Sequence, residues 1–142
     1  MTDPFRHHPE LRSLVKPCGE SFFRTITTEK IKAQIAASGQ ALTIEFHDDD
    51  TREGLRAEAL EGHEGDLYVF AYGSLMWDPA LEFTEVRRAF APEHERRFIL
   101  VDDKGGRGSS EAPGVMAALD LGQGCDGLVF RIAADCVDRE TE

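Results

Sequence analysis

The stretch DLYVFAYGSLMWDP, Asp66–Pro79, decides how the rest of the chain is read. Leu67 to Tyr72 is an apolar and aromatic run of strand length. It stops at Gly73-Ser74, and Leu75, Met76 and Trp77 then resume the bulk before a proline. A strand ending in Tyr-Gly-Ser can present several backbone N–H groups to one point, because glycine permits backbone geometry and close approach that larger residues forbid. Such a nest suits a carboxylate or a developing oxyanion. Ser74 adds a hydroxyl and Tyr72 a wall with a polar tip, while Leu75, Met76 and Trp77 are expected to plug the core beneath. A tight turn that binds nothing is the competing reading, and the motif alone does not separate the two.

Working outward, the apolar texture continues downstream. VRRAFAP and HERRFILV read as two further strands, and VMAALDL and GLVFRI as two more, joined by GQGCDG. DDKGGRGSSEAPG between them is a long loop dense in Gly, Ser and Pro, and ADCVDRETE begins a helix at the end. Upstream, residues 1–65 are polar and charged. Thr28 is expected to cap a helix running through Ile31 and Ile35 and stopping at Gly39. ALTIEF (Ala41–Phe46) reads as a short strand, HDDD as a turn, and TREGLRAEALEGHEG as a short polar helix. This divides the chain into an N-terminal extension, 1–65, and a strand-rich domain, 66–142. The expected class is α+β with a curled, mostly antiparallel sheet.

Composition narrows the function classes. The chain has 142 residues and a formal charge of −11, from 27 acidic against 16 basic side chains. So acidic a domain repels phosphate backbones, so nucleic acid is not an expected partner. No apolar run reaches membrane-spanning length and no signal-peptide block opens the chain, so no membrane partner is expected. Three cysteines without a CxxC pair read as reduced thiols, and the cytoplasm is the expected compartment.

Other motifs compete less well. GQGCDG, Gly122–Gly127, matches GxGxxG in letters, but a strand rather than a helix follows, so a hairpin turn is expected instead of a dinucleotide site. HDDD at 47–50 and His7-His8 lack partners at ligand spacing, so no metal is expected. GGRGSS reads as a flexible loop placing one cation, Arg107, near an anionic ligand. Ser74 lacks the GxSxG setting of a nucleophile elbow and an assigned histidine.

Taken together, VFAYGSLMWDP, HERRFIL, GRGSSEAPGVMAAL and CDGLVFRI resemble, in order, the motifs of the ChaC-type γ-glutamylcyclotransferases. The resemblance covers about residues 66–142 and implies a γ-glutamylcyclotransferase-like barrel, incomplete at the C-terminal end. It implies cleavage of glutathione to 5-oxoproline and cysteinylglycine, with the substrate's own α-amine attacking its γ-carbonyl. No cofactor and no protein nucleophile are needed. A cradle for the γ-glutamyl head, donors for the oxyanion and a carboxylate base are. By resemblance the cradle is Val69, Phe70, Ala71, Tyr72, Gly73, Ser74 and Leu75, with the Gly73 and Ser74 amides as donors. The family's base is a glutamate of an Arg-Glu pair after the last of these strands. Arg139-Glu140 makes Glu140 the candidate here, although family spacing puts that glutamate about six residues beyond Glu142. Three readings follow: a glutathione-specific enzyme, a γ-glutamyl-binding module without the base, and a truncated product without stable function. An open sheet edge and self-association are expected under truncation.

Overall fold

The structure is a computed structural model that describes residues 2–37, 45–104 and 107–142. Among the described residues five strands carry the fold: β1 Leu67–Ala71, β2 Glu85–Ala91, β3 His94–Asp102, β4 Gly114–Leu121 and β5 Cys125–Ile132. All five lie where the apolar runs predict them. Every pairing is antiparallel, with β1 and β2 flanking β5 in one sheet and β3 paired to β4 in a second.

The two sheets are halves of one long ribbon. β2 passes into β3 through Pro92-Glu93, and β4 into β5 through Gly122–Gly124, at the same level. Ala91↔Cys125 is the last pair of one sheet and His94↔Leu121 the first of the other. Pro92 has no amide to offer the ladder, and Gly124 adopts φ +140, a conformation side chains disfavour. The Gly122 amide donates to the Glu93 carbonyl at 3.0 Å and holds the two sides together at the break. GQGCDG is therefore not the turn of a β4–β5 hairpin: it joins strands with different partners. Among the described residues the sheets do not close into a barrel. The α+β class and the antiparallel pairing stand as expected.

Alternation along β5 buries Leu128, Phe130 and Ile132 on one face. Phe130 packs its ring 4.8 Å from Phe83, which meets Phe5 edge-on at 5.6 Å. The core cluster joins Ala71, Val86, Leu128 and Phe130 to Leu11 and Val15 from the N-terminal segment. A 3-10 turn, Pro9–Ser13, delivers Leu11 inward. The Pro4 carbonyl accepts from the Val86 amide at 3.0 Å, beside the β2 edge of the sheet. Residues 4–15 thus share the sheet's core. Burying a leucine and a valine contributes about 1.5–3 kcal/mol each.

Among the described residues three α-helices lie outside the sheets: α1 Thr28–Ala37, α2 Asp49–Ala59 and α3 Val137–Thr141. The cap of α1 is Thr27, one residue earlier than expected, whose Oγ1 accepts from the Lys30 amide at 3.3 Å. HDDD is not a free turn. Asp48 caps α2 by accepting from the Thr51 amide at 2.8 Å, and Asp49 and Asp50 sit in its first turn, where the helix dipole favours negative charge. The expected stop at Gly39 and most of the expected strand Ala41–Phe46 lie outside the described residues. Among the described residues no helix is long and apolar enough to cross a membrane.

Candidate functional site

β1 runs out of partners after Ala71↔Leu128, and the chain leaves the sheet at Tyr72. Ser74–Met76 then forms a 3-10 turn, closed by bonds from the Met76 amide to the Gly73 carbonyl at 2.9 Å and from Trp77 to Ser74 at 3.0 Å. Among the described residues, the amides of Gly73, Ser74 and Leu75 donate no hydrogen bond. Three consecutive donors therefore remain available where the strand ends.

They border a cavity of about 500 Å³. Residues 70–77 form one wall. Arg96 and Phe98 of β3, Arg107, and Val115, Met116 and Ala117 of β4 form the other. The space thus lies between the β3–β4 pair and the loop that follows β1.

Gly73 lies on this wall with φ −141 and ψ −140, so it does not stand in the left-handed region that favours glycine. A Cβ built on it meets no protein atom within 4 Å, so packing does not require glycine. What glycine leaves is open space over the amides, on the wall of the cavity.

Of the residues expected in the cradle, Phe70, Ala71, Tyr72, Gly73, Ser74 and Leu75 line the cavity, and Val69 does not. Arg107 lines it as expected. Leu75 and Trp77 do not plug the core. Both are substantially exposed and face the cavity, and only Met76 of the three packs against the core cluster. A one-turn 3-10 segment spreads successive side chains about 120° apart, so three in a row cannot share one face.

Arg96, Phe98 and the Val115–Ala117 wall were not singled out from the sequence. Their signal was the alternation in HERRFIL, which puts Arg96 and Phe98 on one side of β3. Neither Arg96 nor Arg107 forms an ion pair among the described residues; Arg96 Nη2 donates to the Asp126 carbonyl at 3.1 Å. The Arg107 end of the loop is fixed by Asp102, a buried carboxylate that accepts from the Lys104 amide at 2.9 Å and from the Arg107 amide. No aspartate or glutamate lines the cavity among the described residues.

Glu140, the candidate base, lies elsewhere. Its side chain is 0% exposed and is clamped by Arg24, whose Nη1 and Nη2 donate at 2.7 and 3.0 Å. The Glu82 amide and Arg139 Nε add bonds of 2.9 Å each. Burial pushes the carboxyl pKa up, but the Arg24, Glu82 and Arg139 hydrogen bonds outweigh it and hold the pKa below its ordinary value. A carboxylate so fully engaged, and outside the cavity, locks the Phe22–Arg24 turn to α3. The structure does not bring it to the Gly73 loop.

Among the described residues, three vacant amides and two guanidinium groups without ion pairs thus border one pocket. The family model described as "ChaC-like protein" matches residues 67–142, and the chain belongs to that family. Glutathione-specific gamma-glutamylcyclotransferase of Escherichia coli K12 is 40% identical over 77 residues, covering 54% of this chain and 33% of the relative. Glutathione-specific gamma-glutamylcyclotransferase 1 of Homo sapiens is 32% identical over 81 residues, covering 56% of this chain and 36% of the relative. The chain thus spans about a third of the length of these curated relatives. No solved structure gives a significant match.

Proposed function

We propose that the cavity beside Gly73 binds a γ-glutamyl compound, glutathione foremost, and that the chain serves the cyclotransferase reaction for which its relatives are named. One observation carries this reading: a glycine whose missing side chain would meet no protein atom opens a run of three unused amides on the cavity wall, in the family's signature loop. In this role the Gly73 and Ser74 amides face the γ-carbonyl oxygen and take up its charge as the α-amine attacks. Tyr72 and Trp77 flank the head, and Arg107 and Arg96 offer bidentate partners to carboxylate groups. The new C–N bond closes the five-membered lactam, the γ-amide bond breaks, and cysteinylglycine leaves as its nitrogen takes up a proton given up by the attacking α-ammonium.

A second reading has its own support. The attacking ammonium must lose a proton, and no carboxylate lines the cavity among the described residues. Residues 1–142 by themselves then act as a γ-glutamyl-binding unit and turn substrate over slowly, since general-base catalysis contributes about 10²–10⁴-fold. Incubating the 142-residue protein with glutathione, measuring 5-oxoproline, and titrating glutathione by calorimetry separates the cases. Binding with slow release of 5-oxoproline supports the binding unit, and binding with rapid release supports the complete enzyme. Absence of binding sinks both.

A further inference from the structure

The N-terminal segment lies outside the matched residues 67–142, yet it touches both roots of the Gly73 loop. Leu11 and Val15 are in the core cluster with Ala71, the last residue of β1 before the loop. On the far side, the Lys16 amide donates to the Trp77 carbonyl at 2.8 Å, and Lys16 Nζ to Asp78 Oδ2 at 2.8 Å. Two residues further on, the Ala80 carbonyl accepts from Arg24 Nη1 at 3.2 Å and lies 3.6 Å from Cys18 Sγ. Ala80 has φ +54, rare for a residue with a side chain, and these bonds help hold it there.

We propose that residues 11–24 form a brace that fixes the cradle from behind, with Lys16 as its positioning residue. Lys16 does not line the cavity, so it acts through Trp77 and Asp78. Both ends of a loop must be held for its three amides to stay aimed at one point. The core holds the β1 end through Leu11 and Val15, and Lys16 and Arg24 hold the other. Loosening one attachment lowers the fraction of molecules with the cradle formed and weakens apparent affinity in proportion. This rests on the functional reading above for the ligand, but not for the brace itself.

Trp77 is the chain's single tryptophan and lies beside the Lys16 bond, so it reports the brace directly. In ligand-free protein, Lys16→Ala should raise acrylamide quenching of Trp77. It should also speed hydrogen exchange at the Met76, Trp77 and Asp78 amides several-fold, whereas Lys16→Arg restores both. Titrated with glutathione and followed by Trp77 emission, Lys16→Ala should bind about two- to fivefold more weakly, the range of a part-exposed ion pair. Asp78→Asn should do the same, and the double variant should add nothing. Unchanged quenching and exchange in Lys16→Ala overturn the brace, as does a fall in melting temperature with Trp77 unaltered. If the parent protein binds no glutathione, the functional reading fails while the ligand-free measurements still decide the brace.

Discussion

Replacing Glu140 by glutamine separates a structural carboxylate from a catalytic one. The parent side chain accepts four hydrogen bonds, two from Arg24 and one each from the Glu82 amide and Arg139. Glutamine keeps one acceptor oxygen and turns an NH₂ group against a guanidinium. Breaking a fully buried charge pair costs about 3–5 kcal/mol, and Arg24, 30% exposed, recovers part of that through water. The expected loss is about 2–4 kcal/mol, or roughly 6–12 °C in Tm for a domain of this size. Urea melts at neutral pH measure it directly. Linkage supplies a second signature. The folded pKa of Glu140 is depressed from 4.5, so its stabilisation is present above that value and is lost as pH falls through the folded pKa. The parent should lose stability over that acid window, and Glu140→Gln should lose less there. A variant as stable as the parent, with 5-oxoproline release abolished, would refute the structural assignment and make Glu140 the base.

Other outcomes follow from packing. Leu11→Ala should destabilise the protein by about 2–3 kcal/mol in the same melt, because Leu11 belongs to the core cluster and not to a solvated extension; a change near zero would detach residues 4–15 from the core. The β3–β4 pair leaves Phe98 and Val101 68% exposed and Val115 60%, an apolar surface that invites association. Light scattering of the 142-residue protein should show self-association, reduced by Val101→Lys, and a monodisperse monomer would contradict this. Ser74→Ala should weaken glutathione binding by about one hydrogen bond, 0.5–1.5 kcal/mol, in calorimetry; undiminished affinity would remove the hydroxyl from the site.

The strands were legible because each is a continuous apolar or alternating run bounded by Gly, Pro or charge, signals local to the chain. Partner choice was not. The alternation in VRRAFAPEHERRFILV passes through Pro92-Glu93 with little mark, and only the paired break at Gly122–Gly124 sends the two halves to different sheets. The site shows the same division. Gly73, Ser74 and Arg107 stand out as residue types, whereas Arg96 joins them only where the fold sets β3 and the Gly73 loop around one cavity. Leu11 and Val15 are hidden among charges, and their burial depends on Ala71, Val86 and Phe130 far along the chain. Spacing to a motif is all that the sequence offers on Glu140, but its environment is set by Arg24, 116 residues away.

The central claim is that ligand lies against the backbone at Gly73, and Gly73→Val tests it most directly. The fold has room for the change, since no protein atom stands within 4 Å of the new Cβ. The variant should therefore stay folded, which a urea melt beside the parent checks. Its isopropyl group would fill the space over the amides, and a calorimetric titration with glutathione should show binding in the parent and none in the variant. Parent-like affinity in a folded Gly73→Val protein would place the ligand elsewhere and contradict the account.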